Sequence, residues 1–265
     1  MLPQTFLDNL YQKHISTEIY PATSSVSRFI TKILLILFPE QTKKHYASSQ
    51  ELGEAFVKLE AELTTIFNSM QQSLEKPAAH VAKDFIEQLP YVYHLLNTDV
   101  KAILTGDPAA KSEYEIVRAY PGFYAIAFYR LAHVMHKLNV PLLPRVITEF
   151  AHSKTGIDIH PGAQIDEYFY IDHGTGVVIG ETAVIGKNVK MYQGITLGAL
   201  SVSKEMASQK RHPTIEENVV IYSGATILGG ETVIGHDSIV GGNVWLTKSI
   251  PPHTKIYHQE QVRIS

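Results

Sequence analysis

From Ile159 onward an aliphatic residue returns at every sixth position. The run passes through Ile165, Ile171, Val177, Ala183, Val189 and Ile195, then resumes at Ile215, Ile221, Ile227, Val233 and Ile239, with Trp245 in the last place. A period of six is neither the 3.6 of a helix nor the 2 of a half-buried strand. It is the period of a parallel β-helix, in which each short strand lays an aliphatic side chain into a shared interior and stacks on the coil below. Three positions after the aliphatic residue, glycine recurs at Gly162, Gly174, Gly180, Gly186, Gly198, Gly224, Gly230 and Gly242, with Asn218 in the same place. These residue types tolerate the positive φ that a sharp corner between short strands requires. Three hexapeptides per coil predict a triangular prism of about four coils. Residues 200–214 break the beat, and their mixed polar content predicts a loop extruded from the prism.

The first 150 residues keep a helical period. Leu52, Phe56, Leu59, Leu63, Ile66, Phe67, Met70 and Leu74 hold i, i+3/i+4 spacing up to Pro77. Phe85, Leu89, Val92 and Leu96 predict a second helix, interrupted or kinked at Pro90. Phe123, Ala127, Arg130, Leu131, Val134 and Leu138 mark a third, introduced by Tyr120-Pro121-Gly122, and a last helix runs through Phe150. The fold class expected is α+β: an all-α N-terminal domain over residues 1–150, then a β-helical domain over 151–265. Apolar residues at 45% and charged residues at 18% fit a globular chain, and a net charge of −3 gives no basic footprint for nucleic acid. Zero cysteines remove disulfides, cysteine-ligated metals and a thiol nucleophile from consideration. The apolar run Phe29–Phe38 is too short to span a bilayer and carries Lys32, so it reads as a buried helix. With no basic signal-peptide stretch at the N-terminus, the expected location is cytoplasmic, without membrane association.

Four clusters carry chemistry: Asp158-Ile159-His160, Asp172-His173-Gly174, Arg211-His212-Pro213 and Asp107-Pro108-Ala109. A histidine titrates near neutrality and, with a carboxylate to fix its tautomer, suits general-base work. Arginine suits a substrate carboxylate, which it grips in bidentate fashion, and aspartates suit an ammonium group. The set fits a zwitterionic amino acid whose side chain is to be deprotonated. Each piece has a plainer reading: Asp-His as a corner pair, Arg211-His212 as a solvated loop, and Asp107-Pro108 as a helix N-cap followed by proline. On an 18-residue coil, Asp158 and His173 share a face without stacking directly.

In these residues the chain resembles the serine O-acetyltransferases of the hexapeptide acyltransferase superfamily. The likeness runs from about Thr98 to Thr254 and adds Tyr129-Arg130-Leu131-Ala132-His133, Gly180-Glu181-Thr182 and Pro251-Pro252-His253-Thr254 to the four clusters. It implies a left-handed β-helix and acetyl transfer from acetyl-CoA to the hydroxyl of L-serine. His173 would be the general base, oriented by Asp158. Arg211 and His212 would hold the substrate carboxylate, and Asp107 and Asp172 the amino group. Gly198, Ser223, Gly224 and Gly242 would line the acetyl-CoA groove. The likeness further implies trimers, or dimers of trimers, with sites between neighbouring prisms and inhibition by cysteine, and no metal is expected. The tail lacks the family's Gly-x-Pro-Ala element, so a complex with O-acetylserine sulfhydrylase is not expected. A sugar or antibiotic O-acetyltransferase would not need the zwitterion clamps. A zinc-dependent β-helical carbonic anhydrase would need histidines at i, i+5; His160, His173, His212 and His236 offer no such pair, although His253 and His258 do. A purely structural assembly module is the third alternative.

Overall fold

In the computed structural model, residues 1–200 and 209–258 are described. Among these residues eight α-helices precede fourteen short strands: α1 Gln4–Ser16, α2 Thr23–Leu37, α3 Ser49–Asn68, α4 Ala78–Glu87, α5 Leu89–Gly106, α6 Glu113–Ala119, α7 Pro121–Lys137 and α8 Leu143–Thr155. The segment expected as one helix to Leu74 ends at Asn68 and is followed by a 3₁₀ turn, Gln71–Ser73. The break at Pro90 separates α4 from α5, with the proline in the first turn of α5, where its missing N–H costs nothing. The Phe29–Phe38 run falls in α2 and its C-cap, and Phe29, Ile30, Ile33 and Leu34 are buried. Among the described residues, no helix is long and apolar enough to cross a membrane. Helix α1 buries no residue and leaves Phe6, Leu7, Leu10 and Ile15 exposed.

Gly156, left-handed at φ 70°, ends α8, and the strands begin two residues later. They form three parallel faces, which we call A, B and C. Face A stacks β1 (Asp158–Ile159), β4 (Val178–Ile179), β7 (Thr196–Gly198), β10 (Thr226–Leu228) and β13 (Trp245–Leu246). Face B stacks β2 (Gln164–Ile165), β5 (Val184–Ile185), β8 (Thr214–Ile215) and β11 (Val233–Ile234). Face C stacks β3 (Tyr170–Ile171), β6 (Lys190–Met191), β9 (Val220–Ile221), β12 (Ile239–Val240) and β14 (Lys255–Ile256). This is the expected prism. The proposed extruded loop falls mostly on residues 201–208, outside the described ones.

The coils are not uniform. Asp158 pairs with Val178, 20 residues on, while Val178 pairs with Thr196, 18 on, and Thr226 with Trp245, 19 on. The interior is therefore filled at two positions per hexapeptide, and the register slips twice. After Ile171 the strand aliphatics become Ile179, Ile185, Met191 and Leu197, and the buried Val177, Ala183, Val189 and Ile195 hold the position before each strand. After Ile227 the interior takes Ile234, Val240 and Leu246. Val233 and Ile239 are only partly buried, and Trp245, expected inside, is 68% exposed.

The helices are joined to the first coil by a buried ion pair. Arg130 of α7 donates Nε–H and Nη2–H to the two Asp99 oxygens of α5 at 2.6 and 2.8 Å, and one further N–H each from Nη1 and Nη2 reaches Ile165 O and Asp166 O. Asp99 also accepts the Phe169 amide at 2.9 Å. Tyr129 donates to Ala163 O at 2.6 Å. Gly122, at the start of α7, packs so closely that a Cβ would lie 2.2 Å from Ile171 O. Both charges are fully desolvated, so removing one partner strands the other. Arg130→Met or Asp99→Asn is expected to lower unfolding stability by about 3–5 kcal/mol, measured by denaturant titration; a loss below 1 kcal/mol would mean the pair is not needed.

Candidate active site

The two extra residues of the first coil lie in the corner between faces C and A, Asp172-His173-Gly174-Thr175-Gly176. His173 (φ 59°), Gly174 (φ 86°) and Gly176 (φ 81°) are all left-handed. At Gly174 a Cβ would also lie 2.4 Å from Ile157 Cδ1, so only glycine fits. A histidine held left-handed is uncommon, and such backbone concentrates at functional sites. The wide corner turns the His173 side chain outward, 71% exposed, with Nε2 3.7 Å from Asp172 Oδ1.

Asp107 reaches the same corner from the end of α5. It is the C-cap residue of α5 and not a helix N-cap; Oδ1 accepts the Ala109 amide at 2.8 Å in a local turn, and the N-cap of α6 is Ser112. Its Oδ2 accepts from the Tyr120 hydroxyl at 2.7 Å. That bond, with the Ala109 amide, holds the Asp107 carboxyl below its ordinary range and pushes Tyr120 up to about 12. Lys190 of β6 donates to Gly106 O at 2.7 Å while lying over the rings of Tyr170 and Tyr192, which ties the α5 terminus to face C. Burial, and then the Asp172 carboxylate, push the Tyr170 hydroxyl pKa up. Asp107, Tyr120, Tyr170, Asp172 and His173 thus form one group.

Arg211 and His212 lie at the other edge of face A, the corner between faces A and B. The His212 ring rests on Gly180, where a Cβ would come within 2.0 Å of it. His212 Nδ1 accepts the Thr182 amide at 3.1 Å, leaving the proton on Nε2. The Thr182 hydroxyl accepts the Arg211 and His212 amides at 2.9 and 3.0 Å. The Arg211 guanidinium pairs with Glu181. Lys210 donates to Thr182 O at 2.7 Å. One coil below, His160 Nδ1 accepts the Gly162 amide at 3.0 Å.

The structure does not bring Asp158 to His173: among the described residues no hydrogen bond or ion pair joins them. Asp158 lies 3.5 Å from Arg145 of α8, and the carboxylate beside the imidazole is Asp172. Ser223, Gly224 and Gly242 stack in the C–A corner above His173, where Gly176, Gly194 and Gly224 leave backbone bare. Gly198 does not join them; it ends β7 toward the A–B corner, accepting from the Gly229 amide at 3.0 Å. Sequence reasoning missed Tyr120, Tyr170, Lys190 and Thr182 as site residues. Only Tyr120 had a local signal, its place before the Pro121-Gly122 helix start.

No family model matches the chain. It is 49% identical to the "serine acetyltransferase, plasmid" of Synechococcus elongatus over 195 residues, 72% of this chain and 60% of that one. It is 45% identical to a Helicobacter pylori serine acetyltransferase over 49% of this chain and 74% of that one. The crystal structure of Entamoeba histolytica serine acetyltransferase 1 in complex with L-cysteine superposes with a TM-score of 0.77 at 34% identity, covering 94% of this chain and 95% of that one. The chain belongs to the serine acetyltransferase family. Its prism is the left-handed β-helix of serine acetyltransferases. The aligned segment spans 60% and 53% of the first two curated serine acetyltransferases, both from Synechococcus elongatus.

In this chain, burial pushes both His160 and His212 down to about 4 from an ordinary 6.5. The unfolded chain takes up protons at these histidines below pH 6.5, whereas the fold does so only near 4. Stability should therefore fall as pH drops through that window. Denaturant titrations should show that decline, flattened in a His160→Gln, His212→Gln double variant; an equal slope in the variant would remove the two histidines as its cause.

Proposed function

We propose that this chain transfers the acetyl group of acetyl-CoA to the hydroxyl of L-serine, giving O-acetylserine and CoA. The observation that carries the reading is the widened C–A corner, which presents the His173 imidazole to solvent beside two carboxylates. His173 takes the hydroxyl proton as the serine oxygen attacks the thioester carbonyl. The tetrahedral adduct then collapses, the carbon–sulfur bond breaks, and the thiolate recovers the proton from the imidazolium. Asp107, fixed by Tyr120 and the Ala109 amide, and Asp172 receive the ammonium group. Arg211 and the Nε2–H of His212 receive the carboxylate. The pantetheine arm runs past the bare backbone at Ser223, Gly224 and Gly242. Asp158, expected to orient His173, lies 3.5 Å from Arg145 within this chain.

The ammonium and carboxylate groups occupy opposite edges of face A. A complete site therefore uses the C–A corner of one prism and the A–B corner of a neighbour, with Gly198 contributed from the neighbour's side. A cyclic trimer satisfies that requirement at all three interfaces. The exposed apolar face of α1 supports pairing of two trimers through their helical arms. L-cysteine, which is bound to the Entamoeba histolytica serine acetyltransferase 1 in its crystal structure, carries the same ammonium and carboxylate and would compete with serine here.

Release of free CoA from acetyl-CoA should depend on L-serine and not on homoserine or galactosides. His173→Asn keeps a residue tolerant of left-handed backbone and should lower kcat by about 10²–10⁴. Arg211→Ala should raise the serine KM far more than the acetyl-CoA KM. Undiminished turnover in His173→Asn, or equal KM effects in Arg211→Ala, would overturn these assignments.

A further inference from the structure

The corner between faces B and C, away from both edges of face A, is turned by left-handed residues of which none is glycine: Tyr168, Asn188, Asn218, Asp237 and His253, with φ between 56° and 60°. Their side chains stack up the prism. Asn188 Nδ2 donates to Asn218 Oδ1 at 3.0 Å, and the Asn218 amide supports the Asp237 carboxylate above it. At the top, Asp237 Oδ2 lies 2.7 Å from His236 Nδ1 and 3.9 Å from His253 Nδ1, with the two imidazoles near perpendicular and 5.0 Å apart. One ligand atom from each of the three residues lies within 4.8 Å of the others.

Backbone bonds hold this arrangement. The His253 amide donates to His236 O at 2.9 Å and the Asp237 amide to Glu217 O at 3.0 Å. The His236 amide donates to Glu216 Oε2 at 2.8 Å, which adds negative charge below the cluster. Donors around a four-coordinate ion with bonds of about 2.0–2.2 Å stand about 3.4 Å apart, and the observed separations bracket that value. Two imidazoles and one carboxylate, the carboxylate supported from behind by an amide, suit a borderline cation better than magnesium or calcium, which prefer oxygen donors.

We infer that His236, Asp237 and His253 bind a divalent transition cation of the zinc class, which clips the last partial coil to the one beneath it. That coil is also held by the pairing of β13 with β10 and of Lys255 and Ile256 with Ile239 and Val240, by the Ile250–Ile234 bridge, and by bonds of Ser249, His253 and Thr254 to the coil beneath. The clip is structural and takes no part in acetyl transfer.

The test uses the full chain stripped of metal by chelator and titrated with Zn²⁺ by equilibrium dialysis, with hydrogen exchange read at Thr254–Ile256. The variants are Asp237→Asn and His253→Asn, which keep residues suited to left-handed backbone. The inference predicts a saturable site, at least about tenfold weaker in each variant, and slower exchange at Thr254–Ile256 on zinc addition in the parent only. Equal zinc affinity in parent and variants, no zinc uptake by the parent, or unchanged exchange at saturation would overturn it and leave a simple histidine–aspartate ion pair.

Discussion

The buried Arg130–Asp99 pair fixes everything that follows at the site. A guanidinium and a carboxylate with almost no solvent exposure are tolerable only when every donor and acceptor is used. Here the spare donors and acceptors go to the backbone of residues 165–169 in the first coil. The pair therefore does more than join α5 to α7. It sets the helices against the one coil that carries Asp172 and His173, and so sets where the far end of α5 delivers Asp107. The Lys190 bond to Gly106 O and the close approach of Gly122 to Ile171 complete the same placement.

On that frame the wide corner is the departure that matters. Stacked coils are stiff because each strand is bonded above and below, so a side chain on a regular coil has little freedom to be re-aimed. Two added residues in left-handed backbone free one imidazole from the repeat at a local conformational cost of order 1–3 kcal/mol. The neighbouring coils bear that cost without losing their pairing. The A–B corner is built differently: Thr182 collects the amides of Arg211 and His212, and Gly180 makes room for the ring. Each group is complete in itself, and face A stands between them.

Much of this was legible in the sequence. The six-residue beat gave the prism, the change of period near Gly156 lay where α8 ends, and three of the four chemical clusters sit at corners of one face. The register was less legible, for a physical reason. Each hexapeptide buries two side chains rather than one, so a slip of two residues after Ile171 lands Val177 on another buried position and leaves the beat outwardly unbroken. The later slip of one hides in the same way, because β-branched residues also suit the outer face, as at Val233 and Ile239. The orienting role of Asp158 came from the family likeness and not from the repeat; within this chain Asp158 lies on a 20-residue coil beside Arg145. Lys190 and Thr182 act through contacts distant in sequence, which no local pattern records.

The central claim is that one catalytic site draws on two edges that a single chain cannot bring together. Subunit mixing tests it most directly. His173→Asn and Arg211→Ala chains, each nearly inactive alone at a serine concentration far below the KM of the Arg211→Ala chain, are unfolded together in equal amounts, refolded and assayed at that concentration. A site shared between neighbours in a ring predicts recovery of about a quarter of the parental rate, from interfaces where an intact C–A corner meets an intact A–B corner. Mixed oligomers that form but recover no activity would contradict the account.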